Sequence, residues 1–209
     1  MPYRNCVVMY LGLTVLSATM PAHAGNRITL HSSGPRADTI TIDETSSPPM
    51  ITVTAGVRVR GSSGSLLDLG GGKFQILVPG NVRYHLKARG GVDTVTIIDG
   101  PGSSIYWVGV GGRDDTVVIH DGPGNDRYTV ECKRGHDTVE IHDDSGDGDD
   151  SYYVKGASGD ELFSISDGAG NDTYRVRGGR GTDELEFTDT GGDTDVVEKR
   201  SIEIECCPP

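Results

Sequence analysis

The stretch Asp115-Thr116-Val117-Val118-Ile119-His120-Asp121 alternates in polarity, with Val117 and Ile119 on one side and Thr116, Val118 and His120 on the other. A period of two is the mark of a strand with one face against a core. Gly122-Pro123-Gly124-Asn125 then breaks the strand, because Gly and Asn tolerate positive φ and Pro has no N–H to give a ladder. Alternation resumes over Asp126 to Val130, with Tyr128 and Val130 inward, and Cys132-Lys133-Arg134-Gly135-His136 leads back to Asp137. No helical period intervenes. The pattern predicts a coil of strand, turn, strand and turn in about 22 residues.

The coil recurs. Asp93, Asp115, Asp137, Asp160 and Asp183 form one ladder, spaced 22, 22, 23 and 23 residues apart. Asp126, Asp150, Asp172 and Asp195 form a second, and Tyr84, Tyr106, Tyr128, Tyr152 and Tyr174 a third. A fixed period of this size denotes a solenoid, whose coils bury their apolar faces only by stacking. The expected fold is all-β, a parallel β-roll or β-solenoid over residues 71–198. Val95, Val117, Val139, Leu162 and Leu185, with Ile97, Ile119 and Ile141, are expected inward from one sheet. The tyrosines and Leu86, Val108, Val130, Val154 and Val176 are expected to face them, which makes the tyrosines core residues rather than a platform for sugars. Residues 25–70 are less regular and read as degenerate β coils or an N-terminal cap. Residues 199–209 read as a C-terminal cap and tail, with a last strand at Ser201 to Glu205.

The turns carry the chemistry. Gly178-Gly179-Arg180-Gly181-Thr182-Asp183-Glu184-Leu185-Glu186 fits G-G-x-G-x-D-x-U-x at every fixed position, U being a large apolar residue. Nonapeptides beginning at Asp121, Ser145 and Asp167 miss only the first Gly. Over residues 81–198 the chain resembles the RTX (haemolysin-type) calcium-binding repeat family. That resemblance implies Ca2+ held between adjacent turns by the sixth-position Asp and by turn carbonyls. Carried onto this chain, the metal-binding positions are Asp121, Gly122, Gly124 and Asp126; Gly146, Gly148 and Asp150; Asp167, Gly168, Gly170 and Asp172; Gly178, Gly179, Gly181 and Asp183; and Asp195. Elementary electrostatics points the same way. Bare carboxylates stacked at about 4.8 Å repel by roughly 1 kcal/mol even in water, and calcium takes six to eight such oxygens.

The two edges of the roll differ. The one holding Asp121 to Asp126 and its repeats is dense in carboxylates, although its earliest turn, Asp99 to Ser104, lacks the sixth-position Asp. The other sets Arg89, Arg113, Lys133, Arg134, Lys155, Arg177 and Arg180 beside the ladder aspartates, where a cationic side chain could take the place of calcium. Calcium is therefore expected along the acidic edge, and on the basic edge only at Gly178–Asp183, if anywhere.

Residues 1–24 read as a signal peptide: Arg4, an apolar stretch Val7 to Leu16, and the small-residue site Ala22-His23-Ala24. Secretion or a periplasmic location follows as an expectation, by a route other than the C-terminal type I signal that many RTX proteins use. No later stretch approaches the length that spans a bilayer, so no membrane insertion of the mature chain is expected. A net charge of −12, with 31 acidic against 19 basic residues, argues against nucleic acid and for a cation partner. Beyond calcium ions, the partner expected is a cell-surface or matrix polysaccharide or protein. Cys132, Cys206 and Cys207 leave an odd thiol after any pairing, and pairing of Cys132 with the tail, a vicinal bond and an intermolecular link all stand open. About 45 residues outside the repeats are too few for a catalytic domain, and neither Gly-x-Ser-x-Gly nor His-Glu-x-x-His occurs, so no enzyme is expected. His120 and His142 are expected to stack on the outer face. The reading is a secreted, non-enzymatic, structural or adhesive calcium-binding roll; a carbohydrate-binding solenoid or polysaccharide-active enzyme is the alternative.

Overall fold

A computed structural model describes residues 26–32, 34–77, 81–143, 148–190, 196–202 and 204–206. The strands are, in order, β1 (Arg27–His31), β2 (Thr39–Asp43), β3 (Met50–Val53), β4 (Arg58–Gly61), β5 (Leu66–Gly70) and β6 (Lys73–Ile76). They continue with β7 (Arg83–Lys87), β8 (Thr94–Ile98), β9 (Ile105–Gly109), β10 (Thr116–His120), β11 (Arg127–Glu131) and β12 (Thr138–His142). The last six are β13 (Ser151–Lys155), β14 (Leu162–Asp167), β15 (Thr173–Arg177), β16 (Glu184–Asp189), β17 (Val196–Arg200) and β18 (Ile204–Cys206). The described residues contain no helix.

Odd-numbered strands β7 to β17 join β1 in one parallel sheet, and even-numbered strands β8 to β18 join β2 in the other. The chain crosses from sheet to sheet at every turn, which makes each strand pair one coil of a β-solenoid. Strand after strand shows inward residues buried and outward ones half-buried or exposed, as in Thr116–His120 and Arg127–Glu131. Tyr84, Tyr106, Tyr128, Tyr152 and Tyr174 lie in register and fully in the core. Adjacent rings are 4.7–5.1 Å apart and within 5° of parallel. They are core residues, as the alternation predicts.

One coil departs from the expected register. Tyr128 pairs with Tyr152 and Val139 with Phe163, both 24 residues on, while the coils before and after repeat every 22. The turn from Asp143 to Asp150 is two residues longer than that from Asp121 to Asp126. Hence Phe163, not Leu162, continues the inward column of Val139 and Leu185, and Leu162 sits outward between Thr138 and Glu184. The same shift puts Glu161 rather than Asp160 in the aspartate ladder. Glu161 is 1% exposed, whereas Asp160 is exposed and lies 3.7 Å from His136.

The first coil is β1 and β2, in register with β7 and β8. Residues between these coils form an antiparallel cap: β4 pairs β1, β3 pairs β2, β6 pairs β3 and β5 pairs β6. The cap thus extends to Ile76, beyond the expected boundary at residue 70. Cys132 is a free, buried thiol at the end of β11, so the expected option of a bond to the tail is not realised. The signal-peptide reading falls on residues 1–24, outside the described residues.

Candidate metal centre on the acidic edge

Two columns of carboxylates meet at the turns that lead from the even-numbered strands to the odd-numbered ones. Asp126, Asp150 and Asp172 form the first. The Ser104 N–H donates to Asp126 Oδ1, the Asp126 N–H to Asp150 Oδ1, and the Asp150 N–H to Asp172 Oδ1 at 2.6 Å. Each coil therefore fixes one oxygen of the next carboxylate by a backbone donor. The second oxygens of Asp126 and Asp150 are buried and have no hydrogen-bond partner. Glycine is required beside them. A Cβ on Gly124 would fall 1.6 Å from the Gly102 carbonyl oxygen and 2.7 Å from Asp126 Oδ2, and one on Gly148 would fall 1.3 Å from the Gly124 oxygen. Carbonyl oxygens of one coil thereby stand against the turn of the next.

Glu44, Asp99, Asp121, Asp143 and Asp167 form the second column, all buried. The tyrosine column aims its hydroxyls at it. Tyr106 donates to Asp99 Oδ1 at 2.7 Å, Tyr174 to Asp167 Oδ1 at 2.6 Å, and Tyr84 and Tyr152 contact Glu44 and Asp121. Tyr128 lies 2.6 Å from Asp99 Oδ2 and 2.5 Å from Asp121 Oδ1. A phenol has one proton to give, so joining two carboxylates in this way takes a second proton or another cation. The tyrosines hold their protons, since burial first and the acids next raise the hydroxyls of Tyr106 and Tyr128 well above the usual phenol range.

The columns combine into three groups of buried carboxylates: Asp99, Asp121 and Asp126; Asp121, Asp143 and Asp150; Asp143, Asp167 and Asp172. Within each, one oxygen per residue lies within 4.8 Å of the others. Such a group could hold a metal ion, and each draws its ligands from adjacent coils. Burial, followed by the charge of Asp99, pushes Asp126 up to about 9. Burial and then Asp121 push Asp150 up to about 8. Asp99 and Asp121 are raised too, by burial foremost. Without a cation the edge thus favours protonated carboxyls at neutral pH.

Of the expected positions, Asp121, Asp126, Asp150, Asp167 and Asp172 are in these groups, and Gly122, Gly124, Gly148, Gly168 and Gly170 are in their turns. Gly146 and Asp195 lie outside the described residues. Gly178, Gly179, Gly181 and Asp183 are on the opposite edge, where the described residues contain no comparable acidic group. There Asp183 accepts N–H bonds from Gly179 at 2.7 Å and Glu161 at 3.1 Å. Gly179 and Gly181 give room for the Ala157 and Gly159 carbonyls, to which a Cβ would come within 2.3 and 1.7 Å.

That edge carries its own ladder of Asp93, Asp115, Asp137, Glu161 and Asp183, all at most 1% exposed. The expected cationic neutralisation is not found. Among the described residues Arg89, Arg113, Lys133, Arg134 and Arg180 are exposed, and none pairs with a ladder carboxylate. Backbone N–H groups satisfy one oxygen each of Asp93, Asp115 and Asp137, and burial raises Asp115 to about 6 and Asp137 to about 7. Burial and the facing Asp183 raise Glu161 to about 8.

Two members of the metal groups, Asp99 and Asp143, were not among the expected ligands. Their signal is the spacing of 22 on either side of Asp121; Asp99 opens a turn without the sixth-position Asp, and Asp143 stands two residues before the nonapeptide at Ser145. No protein-family model, curated protein or solved structure matches this chain.

Proposed function

We propose that this chain is a secreted calcium-binding β-roll protein, non-enzymatic, with a structural or adhesive role and with folding coupled to the ion. The observation that carries the reading is the set of three buried carboxylate groups, in which Asp126 Oδ2 and Asp150 Oδ2 lack any hydrogen-bond partner. Their donor sets are all oxygen, which suits a hard cation better than zinc, whose structural sites are built on nitrogen and sulfur ligands. Closely spaced glycine-turn carbonyls can complete a large, irregular oxygen set of the kind calcium accepts, whereas magnesium demands a near-regular octahedron and retains its waters. Asp99, Asp121 and Asp126 would hold one ion, Asp121, Asp143 and Asp150 a second, and Asp143, Asp167 and Asp172 a third. Bound calcium would supply the positive charge that these carboxylates otherwise gain only as protons. The resemblance of the turns to RTX repeats supports the same ion, and residues 1–24 support export.

The test is far-UV circular dichroism and thermal melting of the purified chain after chelation, across a calcium titration, with magnesium in parallel. Strand signal and melting temperature rising with calcium, and much less with magnesium, are expected. A chain already folded and indifferent to either ion would defeat the proposal.

A further inference from the structure

The outer faces of the two sheets differ sharply in charge. Strands β2, β8, β10, β12, β14 and β16 contain neither Lys nor Arg, whereas β4, β1, β7, β9, β11, β13 and β15 contain nine, all at outward positions, against Glu131 as their one acid. In a chain of net charge −12, these cations are gathered on one sheet. The register sorts them into rows across the strands. Arg27, Arg83 and Arg127 flank one side; Arg58, Lys87, Lys155 and Arg177 flank the other.

The row between is aromatic at its centre. His85 pairs with Trp107, and two strands on is Tyr153. Trp107 is half-buried, and its benzo ring lies across Gly109: a Cβ there would come within 2.5–3.4 Å of three ring atoms. The missing side chain at Gly109 is what lets the indole settle on the sheet. His85 meets the ring edge-on at 4.4 Å, and Lys87 Nζ is 5.5 Å from its centre. Hollows of about 320 Å³ and 250 Å³ open on either side of His85, lined by Arg27, Arg83 and Trp107 in one and by Arg58, Arg60 and Lys87 in the other.

We infer that this face is a binding surface for an extended polysaccharide bearing carboxylates, a polymer of uronic acid residues. The guanidinium fork matches a planar carboxylate with two parallel hydrogen bonds, and seven of the nine cations are Arg. A ring held on the surface offers an apolar face to a sugar at little entropic cost. Strands about 4.8 Å apart spread the cations over roughly 30 Å, a track for a chain rather than a pocket for one sugar. Nucleic acid fits less well. Its phosphates carry a charge every ~1.7 Å of duplex, denser than one carboxylate per sugar, so the acidic remainder of the molecule opposes it more strongly. The surface is separate from the acidic edge and does not rest on the calcium reading.

Trp107 is the chain's one tryptophan, so its emission reports on this face alone. The test is titration with polygalacturonate in calcium, with dextran, heparin and single-stranded DNA as comparisons, and with strand content of every variant checked by circular dichroism. Polygalacturonate is expected to change the Trp107 emission saturably and dextran to leave it unchanged. Arg83→Glu is expected to weaken binding at least tenfold, Arg83→Gln less, and Glu186→Gln on the other sheet not at all. Trp107→Ala, followed by affinity electrophoresis, is expected to weaken it about tenfold. Failure of polygalacturonate to bind would overturn the inference, as would tighter binding of DNA or heparin. So would binding that survives Arg83→Glu but vanishes in chelator, since that marks calcium bridging at the edge.

Discussion

Asp126→Asn separates the metal role of the acidic edge from its packing role, because the two have opposite signs. Asn keeps the oxygen that accepts the Ser104 N–H and replaces only the oxygen that has no partner. Asp99 and Asp121 place carboxylate oxygens within 4.8 Å, and each, when ionised, repels an ionised Asp126 by about 3 kcal/mol at an effective dielectric near 20. In chelator at pH 8 the substitution removes that repulsion, or the need to hold a proton against it, and the variant should melt higher than the parent. In calcium it removes a ligand. With free calcium at about 100 times the dissociation constant, one site contributes about 2.7 kcal/mol, or roughly 5–10 °C for a chain of this size, and the variant should melt lower by that amount. Asp115→Asn, on the edge whose described carboxylates form no group close enough to share an ion, should show no calcium-dependent loss. The assay is differential scanning calorimetry of the three proteins in chelator and in calcium. Equal calcium-dependent shifts for both variants, or a lower melting point for Asp126→Asn in chelator as well, would refute the reasoning.

Asp121 belongs to two of the three groups and Asp172 to one, so calorimetric titration should show Asp121→Asn losing twice the bound calcium of Asp172→Asn. In chelator, the carboxyls raised by burial, Asp115 to about 6, Asp137 to about 7, Glu161 to about 8 and Asp126 to about 9, favour the fold when protonated. Their stabilisation is complete below the unfolded carboxyl value of about 4 and is lost progressively as pH climbs from there to about 9, so the metal-free melting temperature should fall across that range, levelling off as each folded value is passed. Calcium needs the ionised form, so its apparent affinity should rise over the same range, with protons released into weakly buffered solution on binding. Gly148→Ala drives a methyl group against the Gly124 oxygen and should cost about 3 kcal/mol in urea unfolding; Gly64→Ala, with open space around it but φ of 77°, should cost about 1. Phe163→Ala should cost about 3–5 kcal/mol and Leu162→Ala about 1, an inequality that vanishes if the coil keeps the shorter register.

Most of the architecture was legible because a period of two inside a period of 22 leaves few ways to fold. Val117, Ile119, Tyr128 and Val130 point inward as their alternation demands. The error at Leu162 and Asp160 has a local cause. A ladder position is defined by the count of residues through the turn, and the 143–150 turn holds two more than its neighbours. Asp160, beside Glu161, offered the expected residue type one place early. Asp99 and Asp143 fall outside the motif for different reasons: the turn from Asp99 lacks the sixth-position Asp, and the longer 143–150 segment starts its nonapeptide at Ser145, two residues past Asp143. The cationic side chains near the other ladder are its neighbours in sequence but not in space. A ladder residue points inward while its neighbours point out, so Arg113 and Arg134 reach solvent and backbone N–H groups serve the carboxylates instead. The charged sheet face was not legible at all, since its rows join residues from seven strands.

The stacked tyrosines give the molecule an optical signature. Five near-parallel phenols, each within about 5 Å of the next, hold their transition dipoles in one fixed, repeating relation. Their coupling makes the near-ultraviolet dichroism a measure of how many coils are in register, distinct from the far-ultraviolet band, which counts strands wherever they are. A coil that keeps its strands but leaves the stack interrupts the column and dims only the first signal.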